Sequence, residues 1–90
     1  MLVALFARDK AGALETRLAN REAHIAHLKE SGVVAQAGPL LDDEGQMCGS
    51  LVVLDVENMA AAQAWADADP YAKAGLFENV TLIQWNRVIG

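Results

Sequence analysis

Short apolar runs and stretches of helical periodicity alternate along the chain. The apolar runs predict β-strands over residues 2–8, 33–40, 49–56 and 77–89. Apolar residues spaced three and four apart predict helices over residues 13–30, 59–68 and 71–74. The predicted order is therefore βαββαβ, with a short extra helix before the last strand.

Turn and capping residues support these boundaries. Asn58 is a favourable N-cap for the second helix. The residue before a proline avoids helical geometry, so the second helix is expected to end at Asp69 and the short helix to begin at Pro70. Pro39, near the end of the second strand, indicates an edge position, because proline cannot donate a hydrogen bond to a neighbouring strand.

The βαββαβ order is that of the ferredoxin-like fold, an α+β arrangement. Right-handed crossovers place the two main helices on one face of a four-stranded antiparallel sheet. In a monomer the opposite face would be polar. Both faces are apolar here, since in the third strand apolar side chains occupy every position from Leu51 to Leu54. Another copy of the same sheet is the simplest cover, so we predict a homodimer that forms through the sheet face.

Composition narrows the class of protein. Ninety residues, 53% of them hydrophobic, suit one small domain over residues 1–90. A net charge of −5 argues against binding to nucleic acid or to an anionic membrane surface. No apolar run approaches the ~20 residues of a membrane span. The single cysteine, Cys48, excludes an intrachain disulfide and suits a reducing compartment, so we expect a cytoplasmic protein.

The first helix carries polar residues where apolar ones are expected. Projected at about 100° per residue, its apolar positions form one narrow stripe: Leu14, Leu18, Ile25 and Leu28. Arg21 falls in the middle of that stripe and His24 at its edge, near Arg17. A buried guanidinium is tolerated only where an anion meets it. We therefore predict that this helix borders a polar pocket.

His24 and Asp69 are the candidate catalytic residues of that pocket. Histidine both gives and takes a proton readily near neutral pH, which suits general acid–base chemistry. A carboxylate paired with an imidazole fixes its tautomer, and neighbouring helices in this fold bring Asp69 within reach of the first helix. Each residue also has a simpler interpretation. His24 would be hydrogen-bonded packing at the edge of the core, and Asp69 would cap the short helix.

Three further residues are candidate contacts or ligands at this pocket. Ser50 lacks the sequence pattern of a nucleophile elbow and is expected to contribute at most a hydrogen bond. Tyr71 either donates a hydrogen bond into the pocket or packs in the core. His27 stands three residues after His24, a spacing that suits a metal, but it is expected to face solvent. No cysteine or carboxylate stands at a ligand spacing beside the two histidines, so no metal is predicted.

These residues together resemble the YciI-like family over nearly the whole chain. The segments that carry the resemblance include Arg21-Glu22-Ala23-His24, Ala37-Gly38-Pro39, Gly49-Ser50, Asp69-Pro70-Tyr71 and Ala74-Gly75. The family is similar in fold to the dimeric α/β-barrel proteins, which agrees with the homodimer predicted above. The resemblance implies an active-site pair at His24 and Asp69, with Arg21, Ser50 and Tyr71 as neighbours in the pocket. Some relatives eliminate chloride from chlorinated hydroxyquinol-type aromatics.

The leading hypothesis is a small dimeric enzyme that acts on a small polar or aromatic molecule by proton abstraction or elimination. His24 would be the general acid or base, held by Asp69, and Arg21 would bind an anionic or enolic oxygen. No cofactor is implied, because the chain has neither a phosphate-binding glycine loop nor a dinucleotide fingerprint. Two alternatives stay open: a non-catalytic module that binds or senses a small ligand in the same pocket, and a polar cluster that only fixes the fold.

Overall fold

The computed structural model describes all 90 residues. The strands are β1 (Leu2–Asp9), β2 (Val34–Leu41), β3 (Met47–Asp55) and β4 (Phe77–Trp85). The helices are α1 (Leu14–Ala19), α2 (Arg21–Glu30), α3 (Met59–Ala68) and α4 (Pro70–Lys73). All strand pairs are antiparallel in the order β2-β3-β1-β4, which confirms the predicted α+β, ferredoxin-like fold. The first strand is central and the second, which contains Pro39, lies at an edge.

The core lies between one face of the sheet and the helices. Alternate residues of the two central strands supply the sheet side: Val3, Leu5, Ala7, Val52 and Leu54. Helix α3 supplies Ala62, Trp65 and Ala66. Full burial of one Val or Leu side chain stabilises the fold by about 1.5–3 kcal/mol, so this layer holds the helices against the sheet. Trp65 belongs to it, and its indole nitrogen donates to Ser31 Oγ at 3.0 Å.

Helix α3 begins and ends as the sequence predicts. The Oδ1 atom of Asn58 accepts a hydrogen bond from the backbone nitrogen of Ala61 at 2.8 Å, which confirms the N-cap. The helix ends at Ala68, and α4 begins at Pro70, where a missing N–H costs no intrahelical hydrogen bond.

The continuous helix predicted over residues 13–30 is wrong, because the chain breaks between α1 and α2. Asn20 lies between them at φ −110° and ψ 7°, and its side-chain amide donates to the carbonyl oxygen of Thr16 at 2.9 Å. Such a local hydrogen bond competes with continuation of the helix. The break changes which residues face inward. Leu18 and Arg21, both predicted to lie in the apolar stripe, are exposed, and Arg17 is buried instead.

The last strand ends at Trp85 and not at residue 89 as predicted. Trp85 pairs with Leu2, the first residue of β1, so a longer β4 would have no partner on that side. Val88 and Ile89 lie beyond the strand and are exposed. The apolar residues after Trp85 favour a longer strand, but β4 ends where its pairing with β1 ends.

The sheet face away from the helices is also apolar. Its side chains come from the three strands β1, β3 and β4, and we call them the open face: Ala4, Phe6, Leu51, Val53, Ile83 and Trp85. Phe6, Ile83 and Trp85 are 44%, 57% and 39% exposed. An exposed apolar patch of this kind is unusual for a monomeric protein. None of the helices is both long and apolar enough to cross a membrane.

Candidate functional site

A cavity of about 200 Å³ lies on the helix side of the sheet, between helices α1, α2 and α4 and strands β2 and β3. Its polar lining comes from Arg17, Arg21, His24, Ser50 and Tyr71. Ile25, Leu28, Met47 and Pro39 supply apolar surface, and no aspartate or glutamate lines the cavity. A mostly apolar wall with a few polar groups is typical of small-molecule sites.

His24 and Asp69 form a buried pair at this cavity. The Nδ1 atom of His24 lies 2.8 Å from Oδ1 of Asp69, and their side chains are 8% and 2% exposed. The same Asp69 oxygen accepts a hydrogen bond from the backbone nitrogen of Tyr71 at 3.0 Å, which caps α4. Asp69 therefore makes both of the contacts that the sequence left as alternatives.

The pair assigns the His24 tautomer. Because a carboxylate only accepts hydrogen bonds, Nδ1 must carry the proton that is donated to Asp69. The other ring nitrogen, Nε2, has no hydrogen-bond partner in the protein. Every fully buried side-chain nitrogen or oxygen in the chain does have a partner, so Nε2 must be accessible to solvent. His24 lines the cavity. In this state Nε2 can accept a proton from a molecule bound there.

Tyr71 supports the imidazole from the side. Its ring stacks on that of His24, with 3.9 Å between the ring centres and 15° between the planes, and Phe77 meets Tyr71 edge-on at 6.0 Å. Burial raises the pKa of Tyr71, although the positive charges of Arg17 and Arg21 act in the opposite direction. The phenol is therefore neutral at neutral pH and able to donate its proton in a hydrogen bond.

Arg17 is the buried guanidinium of the site. Its Nε and Nη2 atoms donate to the two carboxylate oxygens of Asp9 at 2.7 and 2.9 Å, and Nη2 also donates to Ser50 Oγ at 2.8 Å. Its guanidinium carbon lies 4.6 Å from the centre of the Tyr71 ring. Burial alone would lower the pKa of Arg17, but the hydrogen bonds and charge of Asp9 outweigh it and the pKa is raised. The group therefore stays charged.

The burial predicted for Arg21 is wrong. Arg21 is exposed at the edge of the cavity, and Arg17 holds the buried position. His27 was expected to face solvent. It is half-buried, its Nε2 lies 3.1 Å from the carbonyl oxygen of Trp65, and the two rings are 4.4 Å apart.

The fold and the site together define a class: small α+β proteins with a buried His–Asp pair at a ligand-sized cavity. The chain belongs to the YCII-related domain family, whose model matches residues 1–86. It is 42% identical to protein YciI of Escherichia coli O6:H1, and the alignment covers 98% of this chain and 99% of that protein. It is 37% identical to an uncharacterised protein of Haemophilus influenzae, and that alignment also covers 98% of this chain and 99% of the other protein.

Several solved structures are similar in fold to this chain over nearly its whole length. One of them is the 5-chloro-2-hydroxyhydroquinone dehydrochlorinase TftG from Burkholderia phenoliruptrix AC1100, in complex with 2,5-dihydroxybenzoquinone. The two chains superimpose with a TM-score of 0.87 at 29% sequence identity, and the match covers 96% of this chain and 94% of that one.

Proposed function

We propose that this chain is an acid–base enzyme for a small polar or aromatic molecule, with His24 and Asp69 as its catalytic pair. The observation that carries the proposal is the 2.8 Å contact between Nδ1 and Asp69, which leaves Nε2 accessible at the cavity. Nε2 takes a proton from the bound molecule. Asp69 holds the ring in the required tautomer and stabilises the imidazolium that forms.

The remaining polar residues of the cavity bind the substrate in this proposal. Arg21 and Ser50 contact a negative or developing negative oxygen, and Tyr71 holds the imidazole and donates a hydrogen bond. The reaction is a proton abstraction or an elimination. The likeness to TftG supports elimination, because a dehydrochlorinase removes a proton and a chloride from its substrate. In such a step the base takes the proton, the electron pair that the proton leaves behind forms a new double bond, and chloride leaves with the electron pair of its bond to carbon.

Two assays of proton transfer test the proposal. One measures chloride release from 5-chloro-2-hydroxyhydroquinone, and the other measures deuterium uptake from heavy water into the ring carbons of 2,5-dihydroxybenzoquinone. The wild-type chain is expected to accelerate at least one reaction over buffer. His24→Gln is expected to lower that rate about a hundredfold, the usual contribution of a general base. Asp69→Asn keeps an oxygen for the α4 cap but removes the charge, and should also lower the rate.

His27→Gln is the matched control, since His27 lies on the same helix but does not line the cavity. It is expected to keep the wild-type rate, and urea unfolding of each variant shows that loss of activity is not loss of fold. Equal rates in wild type and His24→Gln would overturn the proposal. Binding of 2,5-dihydroxybenzoquinone without acceleration of either reaction would favour the alternative, a module that binds a small ligand without converting it.

We also propose that two chains associate through the open face to form a homodimer. Phe6, Ile83 and Trp85 expose apolar surface on the side of the sheet that no helix covers. The same face on a second copy is chemically complementary to it, and closed two-fold association is the commonest form of homo-oligomer.

A further inference from the structure

We infer that the cavity selects a single-ring oxyanion whose negative oxygen is bound by the hydroxyl of Ser50. We assign Asp9 and Arg17 as the positioning residues that set this preference. This inference rests on the proposed function only in that it concerns the same cavity. It does not require the acid–base chemistry proposed for His24. Size, charge and hydrogen-bond direction each support it.

The size of the cavity limits the ligand. An apolar cavity of about 150 Å³ in another protein accepts benzene. The cavity here measures about 200 Å³, which leaves room for one six-membered ring with one or two small substituents. Ile25, Leu28 and Met47 offer apolar contacts to the ring, and polar groups stand beside them on the same two elements, α2 and β3.

The charge of the lining favours an anion. Arg17 and Arg21 line the cavity and no carboxylate does. The two nearest carboxylates are already engaged: Asp9 accepts hydrogen bonds from Arg17 on both oxygens, and Asp69 is paired with His24. Arg21 has no hydrogen bond or salt bridge within the chain, so its charge is available to a ligand. A cavity lined by one sign of charge attracts ligands of the opposite sign.

The direction of the hydrogen bonds places the ligand oxygen at Ser50. A hydroxyl has one proton to donate and two lone pairs that accept. Ser50 Oγ accepts from Arg17 Nη2 at 2.8 Å and donates to no acceptor in the protein. Its proton is therefore left for a ligand, and a cationic donor behind the oxygen strengthens it as a donor. The ligand therefore presents an acceptor oxygen to Ser50.

Asp9 fixes this arrangement from behind. It binds the Arg17 guanidinium through two hydrogen bonds, and both side chains are almost fully buried, 6% and 3% exposed. A fork-shaped pair of this kind sets the plane of the guanidinium as well as its position. The plane decides where Nη2 points, and Nη2 decides which way the hydroxyl of Ser50 can turn. Asp9 and Arg17 thus act on the ligand through Ser50.

The test compares two probes of the same shape that differ in charge, benzoate and benzamide. Their dissociation constants are measured by calorimetry on the wild-type chain and on Ser50→Ala, Ser50→Thr and Asp9→Asn. We expect benzoate to bind at least about tenfold more tightly than benzamide, since a hydrogen bond to a charged group is worth more than one to a neutral group. Ser50→Ala is expected to remove most of that ratio and Ser50→Thr, which keeps the hydroxyl, to retain it.

Asp9→Asn is expected to lower the preference for benzoate over benzamide, although Asp9 does not line the cavity. A purely structural role of Asp9 would not produce this effect. Lys29→Gln is the matched control, because it removes a positive charge from α2 at a residue that does not line the cavity. If benzoate does not bind more tightly than benzamide, or neither binds, the inference is wrong. It is also wrong if Ser50→Ala leaves the ratio unchanged, which keeps the test decisive even where Asp9→Asn fails to fold.

Failure of this inference and failure of the proposed function are separable. The ratio of two dissociation constants tests the preference for an oxyanion, whereas the proton-transfer assays on His24→Gln test the acid–base chemistry. A strong preference for benzoate with no proton transfer would leave the inference standing and overturn the enzyme proposal. Proton transfer with no preference for benzoate would do the reverse.

Discussion

Two buried polar pairs hold the side chains around the cavity, Arg17 with Asp9 and His24 with Asp69. Removing one partner of a buried ion pair typically costs about 3–5 kcal/mol, because the other partner is left charged and unpaired. The Arg17 pair is the clearer case, since its guanidinium is charged at every accessible pH. These residues therefore contribute to the fold as well as to the surface of the cavity.

Tyr71 offers a direct measurement at the scale of one residue, because it is the only tyrosine in the chain. Burial raises the pKa of Tyr71 in the folded chain, whereas an exposed tyrosine has a pKa of about 10. Titration of the tyrosinate ultraviolet absorbance is expected to give a higher midpoint in the folded chain than in urea. A midpoint at or below that of the unfolded chain would contradict the burial of the phenol.

The same shift has a consequence for stability. A pKa that is raised in the folded state means that the neutral phenol stabilises the fold fully below the unfolded pKa of about 10. That contribution is lost as the pH rises from there through the folded pKa. Tyr71→Phe is the control, since it removes the ionisation and should unfold with a weaker dependence on alkaline pH.

At the scale of the elements, β3 approaches β1 very closely at Gly49. A Cβ atom there would run into the carbonyl oxygen of Ala7. Gly49→Ala must move the two central strands apart, next to Ser50, and is expected to destabilise the chain by about 1–3 kcal/mol in urea unfolding. Gly38→Ala is the matched control on β2, where the added methyl meets nothing within 4 Å. Equal stability of the two variants would contradict the close approach.

Local signals explain which elements the sequence predicted well. The cap at Asn58 and the proline at residue 70 act within a few residues, and α3 has the predicted bounds. The break at Asn20 comes with a hydrogen bond from the Asn20 side chain to the carbonyl oxygen of Thr16, and hydrophobic periodicity does not register such a bond. The end of β4 depends on where its partner β1 begins, which is information from the other end of the chain.

In the candidate site too, local sequence signals predicted some residues, whereas others depend on contacts between distant parts of the chain. His24 and Asp69 stood out because a protonatable residue on an apolar helix and an Asp-Pro sequence are visible locally. The assignment of the buried charge to Arg21 failed because it assumed one unbroken helix. The contact of Arg17 with Asp9 and Ser50 joins α1 to the ends of two strands, and only the sheet register brings those ends together.

At the scale of the whole molecule, the sheet separates two surfaces. The cavity lies on the helix side, lined by Ser50 from β3, and the open face lies on the other. Neighbouring residues of one strand therefore belong to different surfaces: Ser50 lines the cavity, and Leu51 belongs to the open face. The alternation of a β-strand produces this division without any further element.

The proposed homodimer is tested on the open face. Ile83→Lys places a charge on the open face, at a residue that is 57% exposed in the single chain. Light scattering is expected to give the mass of two chains for the wild type and of one chain for Ile83→Lys. Leu18→Lys is the matched control, an apolar residue 53% exposed on α1. A monomeric wild type, or an Ile83→Lys variant that stays dimeric, would exclude association through this face.

One oxygen, Oδ1 of Asp69, both caps α4 and accepts a hydrogen bond from His24 Nδ1. Aspartate is a common N-cap, and proline is common at the first position of the helix that follows it. In this chain the capping residue also orients an imidazole. A substitution that removes this oxygen therefore disturbs the start of α4 and the orientation of the imidazole at the same time.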